Sequence, residues 1–174
     1  MSVLSVRCVY ALRAVVYTAL QMRERPYISI RDMSEFLNMP FHFLTKVLQE
    51  LTKKGVLSSS RGPAGGIALA RPPEEITLME IIEVVDGPAM FQHCLLGLEG
   101  CNDQKPCPLH RTWGPERERL KALFANTFVS DIINDAAQHY ERMIFDNLPM
   151  PSRLKRKPRR KTVARRVKRR RTKK

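Results

Sequence analysis

The chain has little of what catalysis or a membrane would require. No window reaches the ~18 uninterrupted apolar residues of a membrane span. Its 174 residues contain no glycine-rich phosphate loop, no nucleophile elbow and no paired-histidine metalloprotease motif, which argues against an enzyme built on any of these. There is no internal repeat. The apolar stretch CVYALRAVVYTAL near the N-terminus is interrupted by Arg13 and followed by no small-residue cleavage site, so it does not read as a secretory signal. Only four cysteines occur. The protein is expected to be intracellular and cytoplasmic, where thiols stay reduced, and disulfides are the weaker account of them.

Acid is also missing where base is concentrated. From Ser152 to Lys174 the sequence SRLKRKPRRKTVARRVKRRRTKK holds fifteen Lys or Arg and no Asp or Glu. It takes fifteen of the 31 cations, which leaves sixteen against all 17 acids, so the net charge of +14 belongs to the tail. So many like charges repel, and too few apolar residues accompany them to offset ordering entropy. A disordered tail over 148–174 is expected, with two readings: a solubilising run, or an arm that binds a polyanion. Ahead of it, 43% hydrophobic residues suffice for one core.

Val9, Leu12, Val16, Ala19 and Leu20 recur at helical spacing after Ser5, which predicts a capped helix over 6–22. Ser29 to Asp32 has the capping-box pattern and opens a short helix with Met33, Phe36 and Leu37 turned inward. The NMP at 38–40 breaks it, Pro40 suits the first turn of a third helix, and that helix runs to about Lys54 with Leu44, Val47, Leu48 and Leu51 as its apolar stripe. Gly55 closes it. VLSSSRGPAGGIALA then reads as a β-hairpin. The fold class is therefore mainly α with a small β-hairpin: a winged helix-turn-helix over 1–87, a loop over 88–111 and a long helix over 112–147. Thr77 caps a fourth helix inside the first of these units, and Gly87-Pro88 stops it. Leu120, Leu123, Phe124, Phe128, Ile132, Ile133, Ala136, Tyr140 and Ile144 give the last helix an apolar face that a small domain cannot cover alone, so a homodimer is expected.

The third helix is sized for a major groove about 12 Å wide. Its His42, Thr45 and Gln49 are candidates for base edges, and Lys46 and Lys53 for phosphates, because an ammonium supplies charge without planar geometry. At the hairpin tip, Arg61 beside Gly62 is placed to enter a minor groove, with Ser59 and Ser60 donating to phosphate. Two copies about a two-fold axis would read a palindromic operator in double-stranded DNA.

Between the fourth and last helices, CLLGLEGCNDQKPC places Cys94, Cys101 and Cys107 with gaps of six and five residues. That is looser than the Cys-x2-Cys pairs of zinc ribbons and wide enough to wrap a cluster. Thiolates suit iron, and Gly97 and Gly100 let the backbone curl around an inorganic core. Structural zinc and a metal-free loop remain open on these residues alone. Cys8 reads as a buried helical thiol.

Taken together, Tyr10 to Ala14, the Arg61-Gly62-Pro63 wing with Gly65-Gly66, the Ile82 to Asp86 helix end, the three spaced cysteines and Trp113 resemble the IscR/NsrR-type winged-helix regulators, the Rrf-two family, over roughly residues 3–146. The resemblance implies a homodimeric transcription regulator of the bacterial cytoplasm and nucleoid, with an iron–sulfur cluster on the cysteines, 2Fe–2S favoured and 4Fe–4S the alternative. It also makes His110, which follows Cys107 after two residues as in the family's iron–sulfur-assembly repressor, the candidate fourth ligand. Six residues separate the first two cysteines where the family usually has five, and the basic tail has no counterpart. Two other functions stay in view: an architectural DNA-binding protein with a structural zinc, and a cluster-free regulator controlled by a partner or small ligand.

Overall fold

Three serine or threonine hydroxyls set where helices begin, and the computed structural model, which describes residues 3–22 and 24–134, shows each at work. Ser5 Oγ accepts the Cys8 N–H at 3.0 Å and opens α1 (Val6–Gln21). Ser29 Oγ accepts from Asp32 N at 3.4 Å ahead of α2 (Ile30–Phe36). Thr77 accepts from Glu80 N at 3.2 Å ahead of α4 (Leu78–Val85). Each satisfies a helix-terminal N–H that has no partner within its own helix.

α3 (Phe41–Lys53) follows α2 through a tight turn. Asn38 adopts φ +50, Met39 N–H donates to Ser34 O at 2.9 Å, and Ser34 Oγ donates to Met39 O at 2.6 Å. Pro40 stands at the N-cap, one position before the first turn expected for it. The turn does more than break the chain, since Met39 is only 2% exposed and belongs to the core.

That core gathers Tyr10, Val15, Leu44, Leu48, Leu51, Ile81 and Ile82 from α1, α3 and α4. The stripe of α3 is buried as its spacing predicts. For α1 the buried set is wider than the expected face: Tyr10, Ala11, Ala14 and Val15 join Val16 and Ala19, while Val9, Leu12 and Leu20 are half-buried. Phe36 does not turn inward. Met33 of α2 and its C-cap Leu37 take the core-facing side, and Phe36 lies on the flank, 39% exposed, with its ring 4.7 Å from that of Tyr17.

The wing pairs β1 (Leu57–Ser60) with β2 (Gly66–Leu69) antiparallel, Leu57 opposite Leu69 and Ser60 opposite Gly66. Ile28 adds a bridge to the free edge of β2, exchanging hydrogen bonds of 2.8 and 2.9 Å with Ile67. The two glycines are required by this close approach: a Cβ on Gly65 would stand 2.4 Å from Ser60 O, and one on Gly66 would stand 2.2 Å from Ile28 O. Gly66→Ala is therefore expected to lower unfolding stability by about 1–3 kcal/mol, read by urea denaturation, because backbone must shift.

Beyond α4, Gly87 at φ +76 turns the chain into a four-residue helix, α5 (Ala89–Gln92), then into the cysteine loop and α6 (His110–Asn126). The single helix expected over 112–147 is interrupted at 127–128. There Leu78 N–H donates to Thr127 O and Val129 N–H to Ile76 O, both at 2.9 Å, so the backbone pairs with the segment entering α4 instead of with its own preceding turn. Residues 129–134 are helical again, and Val129 and Ile133 enter the core. The far part of the expected helix and the basic tail lie outside the described residues. Among the described residues no helix is long and apolar enough to cross a membrane.

Candidate functional site

Between Gln92 and His110 the chain forms two consecutive turns, each with a glycine in the left-handed region. Gly97, at φ +66, donates its N–H to Cys94 O at 2.9 Å, and Gly100, at φ +69, precedes Cys101, whose N–H reaches Leu98 O at 3.4 Å. A third turn is held by Asn102, whose Oδ1 accepts from Gln104 N at 2.8 Å and from Lys105 N at 2.9 Å. His110 then starts α6, with its N–H on Cys107 O at 3.0 Å.

These turns gather the thiols. The Sγ atoms of Cys94, Cys101 and Cys107 all lie within 4.8 Å of one another, with Cys94 and Cys107 3.5 Å apart. His110 Nδ1 lies 3.2 Å from Cys101 Sγ. The other ring nitrogen, Nε2, lies 2.9 Å from Asp103 Oδ1. All three thiols are half-buried, beside an open cavity of about 550 Å³ walled by the loop from Leu98 to Cys107. The Leu98 backbone N–H, aided by that of Leu96 and by the Cys107 and Cys101 thiols, pulls Cys94 down to about 7. For Cys101 the Cys107 backbone N–H acts the same way, but loss of solvent and the Cys107 and Cys94 thiols outweigh it and leave the thiol raised.

Three sulfurs and an imidazole nitrogen are a soft donor set. They match what iron in a cluster takes from a protein, and equally a single tetrahedral zinc ion. The four residues singled out by sequence thus come together. Asp103 was not singled out: no spacing marks it, and only the Asn102 turn brings its carboxylate back to His110. His93 is exposed beside the loop, and Cys8 is sealed in the core, where burial first and the Asp86 carboxylate second push its thiol up to about 12.

The loop's base is tied to α3 through α1. Asp86, the C-cap of α4, accepts from Ser5 N–H at 2.9 Å and also from the Ser5 hydroxyl, and Arg7, two residues on, pairs with Glu50 of α3. On the outer face of α3, His42, Lys46, Gln49 and Lys53 are exposed, and Thr45 is half-buried with its hydroxyl donating to Phe41 O at 2.7 Å. Ser59, Ser60, Arg61 and Gly62 are all exposed along the wing.

Two closely packed helices crossed by a tight turn, a wing, and a thiol-bearing loop beyond them define a winged-helix regulator with a candidate metal centre. The chain belongs to the Rrf2 family of iron-dependent transcriptional regulators, whose profile matches residues 4–135. It is 35% identical over 132 residues to an HTH-type transcriptional regulator of Aquifex aeolicus, covering 75% of this chain and 90% of that one. It is 30% identical over 126 residues to the HTH-type transcriptional regulator IscR of Photorhabdus laumondii, covering 72% and 76%. Among solved structures, CymR, the global cysteine regulator of B. subtilis, superposes with a TM-score of 0.66 at 25% identity over 77% of this chain and 98% of that one. IscR of T. potens shares the fold, with a TM-score of 0.63 at 23% identity over 78% and 89%.

Proposed function

We propose that the protein is a homodimeric, DNA-binding transcription regulator of the cytoplasm, acting at the nucleoid, whose operator affinity depends on an iron–sulfur cluster held by Cys94, Cys101, Cys107 and His110. The observation that carries this reading is the convergence of three sulfurs within 4.8 Å, with an imidazole nitrogen 3.2 Å from one of them, in a chain of this family. A bound cluster, 2Fe–2S favoured, would supply a centre whose oxidation, nitrosylation or loss reports on the cell.

The remaining steps belong to the chain's own residues. The loop joins the end of α4 to α6, so ordering it fixes the angle between them, and Ser5, Asp86, Arg7 and Glu50 connect that junction to α3. Coupling of this kind is worth about 1–3 kcal/mol, a several-fold to roughly hundredfold change in affinity. α3 enters the major groove with His42, Thr45 and Gln49 toward base edges and Lys46 and Lys53 toward phosphates. With its hydroxyl turned back on Phe41 O, Thr45 offers its methyl, which suits a thymine. Arg61, beside Gly62, reaches the minor groove while Ser59 and Ser60 meet phosphate.

A second copy is supported by α6, which buries no residue within its own subunit although it carries Leu123, 57% exposed. A palindromic operator follows from the two-fold axis.

The test is to purify the protein without air and to measure its visible spectrum, iron and sulfide together. Brown protein absorbing in the region of about 400 nm, with both elements present, is the expected result for thiolate-bound iron. The same donor set also satisfies zinc, so colourless protein carrying stoichiometric zinc would establish the structural-zinc reading instead. His110→Ala is expected to give a cluster with an altered spectrum that is lost faster, and an unchanged spectrum and lifetime would remove His110 from the ligand set.

A further inference from the structure

A histidine can bind metal through either ring nitrogen, and the hydrogen bond made by the other nitrogen decides which. At His110 that bond is explicit. Its Nε2 stands 2.9 Å from Asp103 Oδ1, and an ionised carboxylate only accepts, so Nε2 carries the hydrogen. In the neutral ring Nδ1 then keeps its lone pair, and it is Nδ1 that lies 3.2 Å from Cys101 Sγ, among the three gathered thiols. From this arrangement we infer that Asp103 is a positioning residue of the metal site, fixing His110 in the Nε2–H form so that a metal is taken through Nδ1. The inference rests on the ligand set proposed above.

The placement of Asp103 is built into the loop rather than left to a long, mobile side chain. Asn102 Oδ1 receives the N–H groups of Gln104 and Lys105, and the Asn102 and Lys105 backbones exchange hydrogen bonds of 3.1 and 3.4 Å, which closes a turn with Asp103 inside it. The imidazole is fixed from the other side by the start of α6, where His110 N–H meets Cys107 O. The ring is largely enclosed, with its side chain 22% exposed, while the Asp103 carboxylate is open to water. A carboxylate in water contributes little attraction at a distance, so its effect here is orientational and short-ranged: it selects a tautomer and a ring angle.

The test needs no iron. In the metal-free full-length protein labelled with 15N-histidine, long-range proton–nitrogen correlations recorded above the ordinary titration range of histidine are expected to show His110 as the Nε2–H tautomer. Asp103→Asn keeps an oxygen acceptor and is expected to keep that tautomer, whereas Asp103→Ala gives a mixture. Titration with Co2+, followed by its sulfur charge-transfer bands, is expected to show affinity about tenfold weaker in Asp103→Ala and close to wild type in Asp103→Asn. An Nδ1–H tautomer in the wild type overturns the assignment, and so does an Asp103→Ala protein that matches wild type in either measurement. Protein that binds Co2+ in this pattern yet takes up no iron and sulfide would keep the role of Asp103 and lose the cluster-sensing function.

Discussion

Cys107→Ser, purified without air, is expected to be colourless, with iron and sulfide at background and a fold indistinguishable from wild type by circular dichroism. Cys107 stands 3.5 Å from Cys94 and within 4.8 Å of Cys101, so its loss removes one corner of the donor set without a substitute nearby. The change spares stability because the residue is half-buried in a loop outside the core. Operator affinity measured beside that of the intact protein is expected to differ by roughly 5- to 150-fold, the range that a coupling of 1–3 kcal/mol spans. Cys8→Ser supplies the contrast. Cys8 is fully buried with a thiol pushed up to about 12, so a hydroxyl placed there loses stability, by about 1–3 kcal/mol, while colour is retained. Retention of iron and sulfide at the wild-type level by Cys107→Ser would remove Cys107 from the ligand set.

Much of the architecture is legible because its signals are local. Ser5, Ser29 and Thr77 announce helix starts through hydroxyls that reach N–H groups three residues on, and the stripe Leu44, Val47, Leu48 and Leu51 can only be buried on one side. Gly65-Gly66 marks the wing for a reason the sequence hides, since one obstacle is the carbonyl of Ile28, nearly forty positions away. What stays illegible depends on pairing across such distances. The interruption at 127–128 exists because Ile76 and Leu78 take the backbone hydrogen bonds there, and periodicity in Phe128, Ile132 and Ile133 carries no trace of it. Phe36 has the right spacing to be inside, yet its ring packs on the flank against Tyr17, a contact from another helix that its own spacing does not carry. At the candidate metal centre cysteine is rare enough to stand out, and His110 stands out through its place after Cys107. Asp103 is one acid among 17 until the Asn102 turn folds it onto the ring.

Removing residues 152–174 is expected to change DNA binding more than any single substitution, and in a particular way. The rest of the chain carries sixteen cations against 17 acids, so without the tail charge-driven binding rests on a few side chains such as Lys46, Lys53 and Arg61. The tail adds fifteen cations with no acid among them. If six to ten of these meet phosphates, raising salt from about 50 to 200 mM weakens the full chain by roughly a thousandfold or more, because each neutralised phosphate releases a counterion. The truncated protein is expected to show a much flatter slope of affinity against salt. Phosphates are the same on every sequence, so the ratio of operator to scrambled-sequence affinity is expected to survive the truncation, set by α3 and the wing. Fluorescence anisotropy on both duplexes across that salt range decides the point. An unchanged slope with a lost operator preference would place sequence reading in the tail and leave α3 as scaffold.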